Sequence, residues 1–219
     1  LKMVRNAISN RNSIATKQRR FDYVCSLVDG TIDPQRCIFI DESGFNNWIR
    51  RSYGRSTKGT RCYRKKPTTT RKNISLCLAI SYNCVVYHKI RSGAFNRESF
   101  QEFLVELSIV LVEEQWFFVL DNCKIHYEVF TDNSDHKIIY LPPYSPFLNP
   151  IEAVFSKIKS NIKSKVFESK ELCTSNFGIF KKFNILIEDT ISFLRDVDLS
   201  KYYEHCASFH CRCLKKWTF

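Results

Sequence analysis

Residues 140–155 read YLPPYSPFLNPIEAVF, and this stretch restricts the chain more than any other. Pro142, Pro143, Pro146 and Pro150 are four of only six prolines in the molecule. Each fixes its own φ near −65°, removes a backbone donor and biases the preceding residue toward extended geometry. No helix or central strand can run through such a segment. An apolar stripe of helical period follows at once, on Ile151, Val154, Phe155, Ile158 and Ile162. The prolines therefore aim a helix, and Glu152 lies in its first turn. Locally, Asn149-Pro150-Ile151-Glu152 places Asn at the N-cap, Pro at N1 and Glu at N3, which is a capping-box pattern. On that reading Glu152 is structural. The approach is more restricted than a cap requires, however. The polar face then runs Glu152, Ser156, Lys159, Lys163, which suits a carboxylate beside a phosphate track as well as a solvated face.

Upstream, RCIFIDESGF at 36–45 reads as a short buried strand, Cys37 to Ile40, running into Asp41. ISLCLAISYNCVVYHKI at 74–90 reads as two strands turning at Tyr82-Asn83. Asn96 can cap a helix whose apolar positions are Phe100, Phe103, Leu104, Leu107 and Leu111. WFFVLDN at 116–122 is a second buried strand ending on an acid, Asp121, and HKIIYLPP is a third strand. Two more helices are predicted over 177–196 and 199–215. The order predicts an α/β fold, a mixed sheet flanked by helices with a helical C-terminal extension. The corresponding division is a basic lead-in segment or linker at 1–35, a core at 36–170 and the extension at 171–219.

The chain of 219 residues carries 34 Lys+Arg against 22 Asp+Glu, a net charge of +12. That excess favours polyanionic partners, nucleic acid before membrane. The densest run gives Arg50, Arg51, Arg55, Lys58, Arg61, Arg64, Lys65 and Lys66 as phosphate-contact candidates, with a solvated loop as the bland alternative. Lys159 and Lys163 join them from the helix. Trp48, just before the run, reads as packing before base stacking. The ten cysteines are scattered, no secretory leader is evident, and no run of eighteen apolar residues suggests a membrane span. Reduced thiols in an intracellular protein are expected, nuclear if the source is eukaryotic. HCASFHCRC at 205–213 has ligand-type residues without paired C-x-x-C spacing, so free thiols on a helix are favoured over zinc.

Asp41 and Asp121 at strand ends, with Glu152 held by prolines, form an all-oxygen set suited to hard divalent cations. Glu42, next to Asp41, should point to the opposite sheet face.

FIDESGFNNW, FVLDNCKIH and LPPYSPFLNPIEAVFSKIK, in this order, resemble the catalytic domain of Tc/mariner-type transposases, the DDE superfamily endonucleases. The resemblance spans roughly 36–166 and implies an RNase H-like fold, a site holding Mg²⁺ or Mn²⁺ as two ions, and cleavage and joining of DNA at transposon ends. Carried over by motif, Asp41, Asp121 and Glu152 are the first, second and third catalytic, metal-binding acids. Asn122 and His126 follow Asp121 in the family's D-N-x-x-x-H pattern, as supporting residues that orient the site, touch DNA or simply pack. The implied partners are double-stranded DNA, as transposon ends and target, and a homodimer is compatible. Two departures stand out: the Asp121–Glu152 interval is shorter than the family's, and Phe147 replaces the Asp of S-P-D-L-N-P. The recognition domains of such transposases are not within this chain. The competing reading is a catalytically inactive or domesticated DNA-binding remnant. An RNase H-type nuclease on RNA–DNA hybrids fits the proline segment less well.

Overall fold

The structure is a computed structural model that describes residues 9–45, 55–63, 73–111, 115–127, 136–168 and 176–218. Five strands, β1 (Cys37–Phe45), β2 (Ile74–Ile80), β3 (Val85–Ser92), β4 (Phe117–Leu120) and β5 (Lys137–Tyr140), form one sheet in the order β3-β2-β1-β4-β5. The first three are an antiparallel meander, because β2 and β3 are joined by a tight turn. β1, β4 and β5 run parallel, because helical or longer connections separate them. Every residue of β2 is buried, as expected of a strand covered on both faces.

Strand alternation divides the apolar residues between two layers. Ile38, Ile40, Cys77, Ala79, Phe118 and Leu120 meet the stripe of α2 (Arg97–Val110), which carries Phe100, Phe103, Leu104 and Leu107. The α2 N-terminus is the capping box expected at Asn96, closed reciprocally with Ser99. On the other face, Phe39, Leu76, Leu78 and Val119 meet α3 (Pro150–Glu168) through Ile151, Val154, Phe155, Ile158 and Ile162. α1 (Ile14–Val28) adds Tyr23, Val24 and Leu27 to that layer, and α4 (Asn176–Arg195) adds Phe183, Ile187, Ile191 and Leu194. Segments at both ends of the chain thus share the core of the central region.

Two elements depart from expectation. β1 continues to Phe45 instead of stopping at Ile40, because its pairing with β2 persists to Phe45↔Ile74. Asp41 is therefore inside a strand, not at its end. The terminal helix is broken into α5 (Ser200–Ala207) and α6 (His210–Leu214), with the Ser208 hydroxyl donating back to His205 O at the break. Cys206 and Cys213 turn into the core while Cys211 faces solvent. The described cysteines are free thiols. Among the described residues no helix is long and apolar enough to cross a membrane.

Candidate active site

Asp41 and Asp121 become neighbours through strand register alone. β1 and β4 are parallel with Phe39 opposite Val119; Asp41 lies two residues beyond Phe39 within β1, and Asp121 two beyond Val119, just past the end of β4. Equal offsets in a parallel pair give equal height and the same face. That face is the one covered by α3, whose first turn carries Glu152. The connection from β5 into α3 begins where Leu141 N–H donates to Leu120 O at 2.8 Å. It then runs through a short 3₁₀ turn at Pro146–Leu148 into Asn149 and Pro150. Asp41, Asp121, Glu152, Asn122, Asn149 and Tyr144 line a cleft of about 510 Å³.

The capping box expected at Asn149 does not form through its side chain. Asn149 is buried, its Nδ2 donates to Asp41 Oδ2 at 3.3 Å, and its Oδ1 has no hydrogen-bond partner. The helix start relies instead on backbone, with Glu152 N–H donating to Asn149 O at 3.3 Å. The amide that would have capped the helix orients a carboxylate across the cleft. Glu152 is left exposed at the cleft wall.

Electrostatics separate the two aspartates. Burial, then the charge of Asp121, push the Asp41 carboxyl up to about 7, and Glu42 and Glu152 add to the rise. The Glu42 N–H, which donates to Asp41 Oδ1 at 2.8 Å, opposes it. Burial would raise Asp121 too, but the His126 bond and the Cys123 N–H outweigh it and hold Asp121 below the ordinary carboxylate range. Two carboxyls whose proton affinities are driven apart in one cleft mark a site with excess negative charge.

His126 holds that difference in place. Its ring is 0% exposed and lies tilted against the Phe100 ring, with centroids 4.3 Å apart, on the α2 side of the sheet. Nδ1 lies 2.7 Å from Asp121 Oδ1, and Nε2 lies 3.1 Å from Glu42 Oε1. Burial alone would lower its pKa; the two carboxylates overcome this and raise it to about 10, so the ring is an imidazolium donating from both nitrogens. Glu42 does face away from Asp41, as alternation requires. From there it still reaches the site through His126. Asn122 donates through Nδ2 to Leu141 O and accepts from the Tyr127 hydroxyl at 3.3 Å, so it ties the β4 end to the proline segment.

The other candidates are less concentrated. Lys159 and Lys163 are exposed on the same helical face as Glu152, and Lys159 Nζ sits 5.8 Å from the Phe45 ring centroid. Arg55, Lys58 and Arg61 are exposed. Arg50, Arg51, Arg64, Lys65, Lys66 and Trp48 lie outside the described residues. Sequence reasoning missed the link from Glu42 to His126; the only available signal was the D-N-x-x-x-H spacing.

The donor set fits an oxygen-seeking divalent cation: carboxylates from three elements plus the unpartnered buried Oδ1 of Asn149. Among the described residues, no three His, Cys, Asp or Glu side chains stand close enough to form a ready-made metal cage. The acids share a cleft without closing on a point.

A mixed five-stranded sheet of this topology flanked by helices is an RNase H-like fold, with its acids at two adjacent strands and a flanking helix. The family description "DDE superfamily endonuclease" matches residues 36–173, more than half of the chain, and the chain belongs to that family. The structure is similar to the catalytic domain of Mos1 mariner transposase, with a TM-score of 0.63 at 14% identity, covering 99% of this chain and 100% of that one. It is also similar to the Mos1 transposase paired-end complex with left transposon end, with a TM-score of 0.66 at 16% identity. For the Mos1 strand transfer complex the TM-score is 0.68 at 16% identity. The chain spans 66% of the length of the transposase chains in those two complexes. At such identities the likeness establishes the fold. No curated protein matches the sequence itself.

Proposed function

We propose that this chain is the catalytic domain of a metal-dependent DNA transposase, which hydrolyses phosphodiester bonds at transposon ends and transfers the freed 3′-hydroxyl to target DNA. The observation that carries the reading is the placement of Asp41, Asp121 and Glu152 on one cleft, with Asp41 pushed up to about 7 by burial and by like charge. Such a site is short of positive charge until a cation enters. Asp41, Asp121 and Glu152 would hold Mg²⁺ or Mn²⁺, as two ions; the similar Mos1 paired-end structures include complexes with Mn and with Mg. When bound, the ions supply activation of the attacking hydroxyl and stabilisation of the leaving oxygen.

The chain's own residues do the positioning. Asn149 orients Asp41 through Oδ2. The bonds from His126 and Cys123 N–H both land on Asp121 Oδ1, keeping Asp121 ionised and its carboxylate plane set. Hydrolysis adds water across a phosphodiester and frees a 3′-hydroxyl. In joining, that hydroxyl forms a P–O bond to the target as another P–O bond breaks. The exposed Lys159 and Lys163, with the basic segment at 50–66, would track the DNA backbone. Such a substrate would place the protein with genomic DNA, in the nucleus of a eukaryotic cell.

The test is Mg²⁺- or Mn²⁺-dependent nicking of DNA carrying the terminal repeats that flank the coding sequence, with Asp121→Asn and Glu152→Gln as variants. Both should abolish nicking while DNA affinity is kept or slightly raised, since a charge repelling phosphate is lost. Nicking by Glu152→Gln at near wild-type rate would refute the assignment of Glu152. A wild-type chain that binds this DNA and cuts with neither metal would favour the DNA-binding remnant instead.

A further inference from the structure

The proline segment is short of donors of its own. Its four prolines contribute carbonyls but no N–H groups. At its centre Tyr144 has φ 54°, the left-handed region, where a bulky side chain is strained and persists only if its surroundings impose it. Tyr144 is also 42% exposed on the cleft wall, so its own ring is not anchored in the core.

Further donors, at the centre of the segment, come from Arg20 of α1. Its side chain is among the largest fully buried ones, at 1% exposure. Nε donates to Ser145 Oγ at 2.8 Å and Nη2 to Tyr144 O at 3.0 Å. The same guanidinium donates to Arg11 O at 2.9 Å and Asn12 Oδ1 at 3.3 Å, and lies 5.4 Å from the Phe147 ring centroid. From this point a series of hydrogen bonds along the turn and the 3₁₀ helix leads to Asn149, and from there to Asp41 and the start of α3. Ser145 Oγ donates to Pro143 O, Leu148 N–H donates to Ser145 O, Asn149 N–H to Pro146 O, Asn149 Nδ2 to Asp41, and Glu152 N–H to Asn149 O.

We propose that Arg20 is a positioning residue for the third carboxylate: it holds the Tyr144–Ser145 turn in its left-handed form and thereby sets where Asn149 and Glu152 stand relative to Asp41. The proposal rests on the catalytic reading of Glu152 given above. It also makes α1 part of the active-site framework. A planar fork is required, because bonds in two directions to a hydroxyl and a carbonyl, with the same group reaching Arg11 and Asn12, exceed what an ammonium can span.

The test is Arg20→Lys, which keeps charge and stem but loses the fork. Hydrogen exchange should accelerate about tenfold or more at the amides of Leu148, Asn149 and Glu152, and stay unchanged at β2 amides such as Leu78. In the nicking assay the Mn²⁺ concentration for half-maximal rate should rise, with the KM for DNA unchanged. Equal change in exchange at β2 and at 148–152 would mean a general stabilising role and overturn the proposal. Local loosening with unaltered metal dependence would overturn it as well. Should Arg20→Lys not fold, Ser145→Ala removes the Nε acceptor while leaving Arg20 in place, and the same two readouts decide. Exchange is measured without cleavage, so a chain that fails to nick sinks the catalytic reading while the exchange result still decides whether Arg20 holds the turn.

Discussion

Asp41→Asn should stabilise the metal-free protein at alkaline pH while removing its response to metal. In the folded chain the Asp41 carboxyl is raised from 3.8 to about 7. A raised folded-state value means the protonated form is favoured by folding. That stabilisation is complete below the unfolded value and is lost as pH rises through about 7. Each pH unit is worth about 1.36 kcal/mol, so a shift of this size has a ceiling of about 4 kcal/mol. The cleft is open to water, and about 2–3 kcal/mol is the expected gain for the amide at pH 8. For a chain of this length that corresponds to a Tm rise of about 5–10 °C. The substitution is sterically neutral, and the unpartnered Asn149 Oδ1 can accept from the new amide once the Asn149 side chain flips. Thermal unfolding in EDTA, followed from pH 4 to pH 8, should show the difference between variant and wild type growing from near zero. Added Mn²⁺ should raise the wild-type Tm and leave the variant nearly unmoved. A variant no more stable than wild type at pH 8, or one whose advantage is the same at pH 4, would refute the idea that crowded negative charge is what the cleft stores.

His126→Gln should cost about 3 kcal/mol, because it strands Glu42 and frees Asp121, and so lower Tm by about 6–12 °C. With His126 raised to about 10, its contribution is whole below pH 6.5 and fades as pH passes 10, so the Tm deficit should shrink in that window; a deficit independent of pH would contradict an imidazolium. Glu42→Gln combined with His126→Gln should lose less than the two single changes added together. On DNA, replacing Arg55, Lys58 and Arg61 by Gln should flatten the slope of log K against log salt by about 2–3 if all three meet phosphate. An unchanged slope would place the DNA track elsewhere.

Much of the fold is written locally. The helical stripes at Phe100–Leu107 and Ile151–Ile162, the turn between β2 and β3, and the Asn96 cap are each decided within a few residues, which is the range over which periodicity and capping operate. The placement of Asp41 and Asp121 was nearly as legible. Once two apolar strands run parallel, acids at matching offsets must meet. Local reasoning failed where a polar group had two suitors. Asn149 has ideal capping sequence, yet its amide turns Nδ2 toward Asp41, 108 residues away, and leaves Oδ1, the atom that would cap the helix, without a partner. His126 read as a site residue or mere packing. Bonds to Asp121 and to Glu42, 84 residues distant, make it a buried cation spanning the sheet edge. Arg20 read only as part of a basic lead-in, yet it reaches Ser145 across 125 residues. Pattern and propensity set which elements form. Which polar group satisfies which depends on what the packed core has already sealed from water, and only the tertiary structure decides that.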